Sequence, residues 1–250
     1  MIIGIDCGST LCKGVLLGTN GIEAFSVLPT GWDLQKSASQ VLAELKGYIS
    51  NTVDTIPVIT TGYGRDMAPE RKRAVTEISA HARGAEYLMP GVRTVIDIGG
   101  QDCKVIAVEN GRVVSFQMND KCAAGTGRFV QMILERFNAD ISLMDKLLAA
   151  GKFVQLNSTC AVFAESEIIG LLAKGYSREE IAGGMARSLA VKIGSLAARV
   201  SLHAPVVLTG GLAESSGIRS VLSETLNCEV QYLPQGLYAG ALGAACMGPG

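Results

Sequence analysis

Two cysteines in this chain stand where a thiolate would be useful. Residues Asn119 to Val130 read NDKCAAGTGRFV, and Asn157 to Ile169 read NSTCAVFAESEII. In each, a polar loop delivers one cysteine, and small or apolar residues that can open a helix follow at once. Cys122 and Cys160 are therefore expected at or just before helix N-termini, where the helix dipole and unpaired amides favour negative charge. Two thiolates are half of the four-cysteine set that a [4Fe–4S] cluster usually takes. A homodimer giving two ligands per subunit across a two-fold axis is the simplest completion. On spacing alone the plainer reading stays open. The chain has seven cysteines and no CxxC pair, and cysteine is often only a small buried apolar residue.

A second kind of chemistry is carried by aspartates that close apolar strands. Met1 to Asp6 is a β-rich run followed by the turn Gly8-Ser9-Thr10. Val92 to Asp97 ends the same way and leads into Gly99-Gly100-Gln101-Asp102-Cys103-Lys104. Glycine lets a backbone approach a phosphate, turn amides and hydroxyls donate to its oxygens, and Asp6 can hold Mg²⁺ through water. A tight hairpin explains the first turn equally well. The GxxxxGK[ST] pattern is absent, and a strand rather than a helix follows the glycines, so this is no P-loop.

The elements that must position these residues follow from periodicity. Leu11–Leu17 and Ile22–Leu28 continue a β-meander from the first strand. A helix is expected over Asp33–Ile49 and a strand over Ile56–Thr61. Thr61-Gly62-Tyr63-Gly64-Arg65 is a glycine turn, read as structural rather than catalytic. A helix follows over Val75–Leu88, with Glu77 in its first turns as a solvated or N-terminal charge and His81 four residues on. Strands at Val105–Val108 and Arg112–Met118 complete a second meander. Strand, aspartate, glycine turn, strand and strand thus recur about 90 residues apart, a weak internal repeat that implies two similar lobes sharing a cleft. Helices are expected at Gly125–Phe137, Ser142–Ala149, Ala161–Lys174 and Ser177–Leu202. Val206–Thr209 is a strand running into Gly210-Gly211, a helix covers Ala213–Leu226, and small residues form a helix at Gly240–Ala245.

Composition narrows the setting. The 250 residues are 48% hydrophobic and 18% charged, with net charge −1 and no basic run, so nucleic acid and acidic membrane surfaces are unexpected partners. MIIGIDCGST has no basic n-region, and no apolar run approaches the roughly 20 residues that span a bilayer, so neither signal peptide nor membrane span is expected. An odd cysteine count points to a reducing cytoplasm.

DCGST, TEISAHARGA, DIGGQDCK, VVLTGG and AGALGAA fall in the order of the motifs of the actin-like ATPase superfamily. They are similar to its phosphate-1, first connecting helix, phosphate-2, adenosine loop and second connecting helix. With NDKCAAGTGRF and STCAVFAESE added, the chain resembles the BadF/BadG/BcrA/BcrD ATPase family across residues 1–246. That family holds the ATP-dependent activators of 2-hydroxyacyl-CoA dehydratases and the ATPase subunits of benzoyl-CoA-type reductases. The resemblance implies an α/β, ribonuclease H-like fold with two similar lobes around a nucleotide cleft. Lobe I would be residues 1–91 with the C-terminal helix 236–250, and lobe II residues 92–235.

It also implies roles. Asp6 and Asp97 would hold Mg²⁺ through waters on bound ATP or ADP. Gly8, Ser9 and Thr10 would wrap the phosphates from one lobe, and Gly99, Gly100 and Gln101 from the other. Lys13 and Lys104 would neutralise phosphate charge, or simply be exposed. Gly210 and Gly211 would let adenosine lie on bare backbone. Glu77 would orient the attacking water, with Asp102 as the alternative for that task or for the metal, and Gln101 beside them. Cys122 and Cys160 would each ligate one [4Fe–4S] cluster shared by a homodimer, with the helices after Cys122 pointing their N-termini at it. The implied function is an anaerobic, cytoplasmic ATPase that passes a low-potential electron from ferredoxin or flavodoxin to a dehydratase. The alternatives are the ATPase component of a benzoyl-CoA-type or double-cubane cluster reductase, a small-molecule kinase of the same fold, and a cytoskeletal or chaperone-like module.

Overall fold

Apolar runs rich in isoleucine and valine that end in aspartate become the central strand of each of two sheets. The computed structural model describes residues 1–49, 56–120, 122–157 and 161–248. Strands β1 (Ile2–Cys7), β2 (Leu11–Gly18) and β3 (Gly21–Pro29) form an antiparallel meander. On the other edge of β1 lie β4 (Val58–Thr61) and β5 (Arg71–Ala74), both parallel, so the order is β3-β2-β1-β4-β5. The second sheet repeats this with β6 (Thr94–Ile98), β7 (Cys103–Glu109) and β8 (Arg112–Asn119) as the meander. There β9 (Val206–Gly210) and β10 (Val230–Gln231) are the parallel additions. This mixed α/β architecture is the actin-like ATPase fold.

The repetition extends to single residues. Asp6 faces Lys13 across β1 and β2, and Asp97 faces Lys104 across β6 and β7. On the parallel side, Asp6 is in register with Thr61 and Asp97 with Thr209. Residues in register on neighbouring strands share a face, so each sheet brings a carboxylate, an ammonium group and a hydroxyl to one place.

Helix α1 (Leu34–Lys46) lays Ala38, Val41, Leu42 and Leu45 on the first sheet. Its N-cap Asp33 accepts from the Lys36 amide at 2.9 Å. Helix α2 (Glu77–Leu88), capped by Thr76, leaves that sheet towards the cleft. Helices α3 (Gly127–Arg136), α4 (Met144–Leu148), α5 (Ala161–Ala173), α6 (Arg178–Ala197) and α7 (Ser216–Leu226) belong to the second sheet. The largest core cluster lies there, with Phe129 and Ile133 of α3 and Met185, Leu189 and Ile193 of α6 against Ile96, Ile98 and Val105. Helix α8 (Ala239–Cys246) returns to β1 and crosses α2.

That crossing is backbone on backbone. A Cβ added at Gly243 would stand 1.7 Å from the Ala80 carbonyl oxygen, and one at Gly84 would stand 1.9 Å from that of Ala239. Gly4 of β1 is under the same constraint, 1.9 Å from the Ala241 carbonyl oxygen. Only glycine admits such approach, which explains the small-residue pattern of both helices.

The structure departs from the expected elements in instructive places. β5 was not anticipated, because Arg71-Lys72-Arg73-Ala74 has no apolar alternation; its exposed charges suit the outer edge of a sheet, where they deter pairing with other chains. α3 starts at Gly127 rather than Gly125, because Gly125 takes φ +134° and Thr126 is extended. The helix expected to run to Leu202 ends at Ala197. The helix expected from Ala213 begins at Ser216, after the N-cap Ser215.

Gly243→Ala is expected to cost about 3 kcal/mol of stability by overpacking the α2–α8 crossing. Gly170→Ala in α5, where an added Cβ meets nothing within 4 Å, is expected to stabilise by about 1 kcal/mol. Chemical denaturation of both variants checks the pair; equal effects would contradict the crossing.

Candidate active site

The two glycine turns meet at the mouth of a cleft of about 590 Å³. Both are tight hairpin ends: the Gly8 amide donates to the Leu11 carbonyl at 3.1 Å, and the Gly99 amide to the Asp102 carbonyl at 3.0 Å. A Cβ at Gly100 would lie 2.1 Å from Thr10 Oγ1 and 2.9 Å from Ser9 Oγ. The turns therefore touch, and Gly8, Ser9, Thr10, Gly99, Gly100 and Gln101 line one space.

Behind the turns lies a buried charge network. Lys13 Nζ donates to Asp6 Oδ2 at 2.7 Å. Lys104 Nζ sits among three carboxylates: Glu77 Oε2 at 2.7 Å, Asp102 Oδ1 at 2.8 Å and Asp97 Oδ2 at 3.2 Å. The lysines are only 8% and 2% exposed, which excludes the reading that they are solvated surface groups. Burial opposes the charge on both, but the neighbouring carboxylates, Asp6 for Lys13 and Asp97 first for Lys104, outweigh it and raise both lysines. Burial likewise opposes ionisation of Asp97, but His81, Lys104 and Lys13 hold its carboxyl at about 2. Glu77 is raised: burial pushes it up more than Lys104 pulls it down. It is also no solvated helix-face charge, since it reaches across to the second sheet's lysine.

Four carboxylates, Asp6, Glu77, Asp97 and Asp102, stand against two lysines, Lys13 and Lys104. Hard carboxylate oxygens in such excess suit Mg²⁺, which binds few carboxylates and keeps waters. The donor set therefore fits a nucleotide-bound Mg²⁺ at Asp6 and Asp97.

The cleft is also lined by Gly210, Gly211 and Leu212 after β9, and by Val130 and Leu134 of α3 with Ala139 and Ile141. Gly210 takes φ +86°, and a Cβ there would lie 2.6 Å from Asp97 Oδ1. Gly62 is its counterpart in the first sheet, at φ +92° with a Cβ 2.6 Å from Asp6 Oδ1. The Gly62 turn thus lies beside Asp6 as Gly210 lies beside Asp97.

Two further residues reach the site. His81 Nδ1 is 2.9 Å from Thr209 Oγ1 and 3.4 Å from Asp97 Oδ1, and the Thr209 hydroxyl donates to Asp97 Oδ1 at 3.2 Å. The sequence signal for His81 was its i+4 spacing from Glu77. For Thr209 it was the Thr-Gly step shared by Thr61-Gly62 and Thr209-Gly210.

Cys122 lies in the turn between β8 and α3, half-buried against the second sheet's core. Asn119 Nδ2 donates to its carbonyl at 2.9 Å. Cys122 precedes the helix, as expected, but at a greater distance than the expected start at Gly125 gave. Four residues intervene, and the first amides of α3 are taken by the phosphate-2 turn: Gly127 N donates to Gly99 O at 2.8 Å, Arg128 N to Gly100 O at 2.9 Å. Cys160 lies outside the described residues, immediately before α5 in sequence. Cys122 offers the soft donor that an iron–sulfur cluster takes, from a partly exposed turn. Among the described residues no three His, Cys, Asp or Glu groups form a metal-holding set. Cys7, Cys12 and Cys103 are buried in strands, and burial with the Asp102 charge raises Cys103 to about 11.

Ionised Asp97 stabilises the fold because its carboxyl is held below its ordinary value. That contribution is complete above the unfolded value of about 4 and is lost as pH falls through about 2. Asp97→Asn is therefore expected to be less stable than the parent at pH 7, with the difference shrinking below about pH 4. Urea denaturation of the nucleotide-free proteins across pH 2.5–7, a range on the order of that window, checks the sign.

The comparisons with known proteins agree with this geometry. The model of the BadF/BadG/BcrA/BcrD ATPase family matches residues 3–248. The (R)-2-hydroxyglutaryl-CoA dehydratase activating ATPase of Acidaminococcus fermentans is 43% identical over 246 residues, covering 97% of this chain and 95% of that protein. The activator of lactoyl-CoA dehydratase of Anaerotignum propionicum is 38% identical over 248 residues, covering 97% and 95%. The solved structure of the activator of the 2-hydroxyisocaproyl-CoA dehydratase from Clostridium difficile with bound ADPNP matches with a TM-score of 0.92 at 38% identity, over 99% of this chain and 94% of that one. With the twin sheets, the touching glycine turns and the carboxylate–lysine network in place, this chain belongs to the BadF/BadG/BcrA/BcrD ATPase family.

Proposed function

We propose that the chain is an ATP-hydrolysing activator that delivers a low-potential electron to a 2-hydroxyacyl-CoA dehydratase or a related CoA-ester reductase. One observation carries the reading: the phosphate-2 turn is hydrogen-bonded to the first amides of α3, with the Cys122 turn directly before them. A shift of Gly99 and Gly100 on nucleotide binding or hydrolysis is passed through α3 to Cys122. Phosphate chemistry and the thiolate thus share one mechanical element.

Asp6 and Asp97 would hold Mg²⁺ through water, while Gly8 to Thr10 and Gly99 to Gln101 wrap the phosphates. Lys13 and Lys104 balance phosphate charge, and Gly210 and Gly211 face the adenosine. Glu77, whose carboxyl is raised by burial, would orient the attacking water. Asp102 and Gln101 are the other polar groups at that end. Phosphoryl transfer needs little beyond such positioning and charge.

Cys122 and Cys160 of two copies would hold one [4Fe–4S] cluster across the homodimer axis. When bound, that cluster supplies the one-electron reductant. The chain's own part is to set the exposure and hydrogen bonding around those sulfurs, which tune a cluster's potential. Ferredoxin or flavodoxin would supply the electron, in an oxygen-free cytoplasm. Among the described residues no helix is long and apolar enough to cross a membrane.

Protein purified without oxygen is expected to be a dimer by light scattering, with about two irons and two acid-labile sulfides per chain. Cys122→Ser and Cys160→Ser each abolish that iron. Serine at Cys7, Cys12, Cys103, Cys228 or Cys246 leaves it unchanged. An iron-free monomer with intact ATPase activity would sink the shared cluster.

The coupling has its own test. Proline is tolerated in a helix's first turn but removes an amide donor. Arg128→Pro is expected to keep ATP hydrolysis while cutting electrons delivered to a low-potential acceptor dye per ATP, relative to Arg128→Ala. Equal coupling ratios in the two variants would rule out the α3 route.

A further inference from the structure

The two lobes treat their carboxylates differently, and the difference isolates one histidine. Asp6 and Asp97 occupy equivalent places, each facing a lysine and in register with a threonine. In the first sheet the Thr61 hydroxyl turns away and donates to the Val75 carbonyl at 3.1 Å. In the second, Thr209 donates to Asp97 Oδ1 at 3.2 Å, and His81 closes on both at 2.9 and 3.4 Å. Asp97 Oδ2 is taken separately by Lys104 at 3.2 Å. Both oxygens of Asp97 are therefore held, from different elements.

A hydroxyl has one proton to give. Thr209 gives it to Asp97, so the ring nitrogen must donate to Thr209. His81 then carries its proton on Nδ1. Its ring is only 3% exposed, and Nε2 faces Gly240, where an added Cβ would lie 2.8 Å from it and 2.9 Å from Asp6 Oδ2. The imidazole thus fills the space between the two carboxylates on the floor of the cleft, anchored on α2, whose first residue Glu77 reaches Lys104.

We infer that His81 is a positioning residue for ATP hydrolysis: through the Thr209 hydroxyl its Nδ1–H fixes Oδ1 of Asp97. This rests on the ATPase reading of the cleft and not on the cluster. Misplacing a site group by about 1 Å can cost on the order of 100-fold in rate. His81→Ala is therefore expected to lower kcat by about 100-fold with KM for ATP within about twofold. His81→Asn, whose amide reaches the Nδ1 position, recovers most of the loss. Thr209→Val, an isosteric change, matches His81→Ala, and the double variant is no worse than either, as expected of one relay.

An independent readout is ¹⁵N NMR of the histidine rings in the parent protein. The sequence holds only two histidines, and a His203→Gln control leaves one. A protonated Nδ1 that exchanges slowly, and loses that protection in Thr209→Val, supports the relay. A ring whose proton sits on Nε2 and not on Nδ1, an asparagine variant as slow as alanine, or a loss confined to thermal stability with kcat intact would overturn it. A parent protein without ATPase activity would overturn the catalytic role by removing its premise, while the NMR result would still decide the hydrogen-bond arrangement.

Discussion

The ammonium group of Lys104, sunk among three carboxylates, is the interaction on which the rest of the site depends. Removing one partner from a buried charge set leaves an uncompensated charge that costs several kcal/mol. Here the partners come from four places: Lys104 from β7, Asp97 from β6, Asp102 from the phosphate-2 turn and Glu77 from α2. The antiparallel register of β6 and β7 puts Asp97 opposite Lys104. The hairpin closed by the Gly99 amide holds Asp102 nearby. Glu77 is the member that α2 contributes to this charge set, from a helix that also packs on the second sheet through Ala82 and Ala85. Any anionic ligand entering the cleft meets this cluster at Lys104 and competes with Glu77 for it.

The two lobes share a plan but not a task. Each has the same strand order, the same carboxylate–lysine register and a glycine at positive φ beside the carboxylate. They differ in what lies between the meander and the first parallel strand. In the first sheet this connection holds α1; in the second it holds α3 to α6, together with Cys122 and Cys160. The insertion packs on the second sheet's core and lines the cleft through Val130 and Leu134 of α3. One helix therefore touches the nucleotide pocket along its side, the phosphate turn at its N-terminus and the Cys122 turn just beyond. Had the extra segment been placed on the first sheet, nucleotide and thiolate would have lacked this common element.

The strand–aspartate–turn pattern was legible because a buried strand leaves a continuous apolar run and a charge at its end breaks it abruptly. The fold followed from finding that pattern twice. The burial of Lys13 and Lys104 was not legible, since lysine is rarely buried and only a cross-strand partner makes it tolerable. That partner is seven residues away in sequence, across a turn whose register must first be known. His81 and Thr209 are 128 positions apart, beyond any local periodicity. The start of α3 was misplaced because small residues around Gly125 suit a helix by composition, whereas the tertiary contact of Gly127 with Gly99 decides where the helix begins.

The site rests on two unlike kinds of contact. Glu77 and His81 are fixed to Asp6 through a stack without intervening side chains: α2 lies on α8 at Gly84 and Gly243, α8 lies on β1 at Gly4, and β1 carries Asp6. Close-packed backbone has one arrangement and yields little. The same two residues reach Asp97 and Lys104 only through hydrogen bonds and charge. A polar ligand in the cleft can compete for the second set and has no means of competing for the first. α2 is also seated on the second sheet by apolar packing, Ala82 and Ala85 against Val95, Ile106 and Val207, so the polar contacts of Glu77 and His81 are the part of that junction open to competition from a ligand in the cleft.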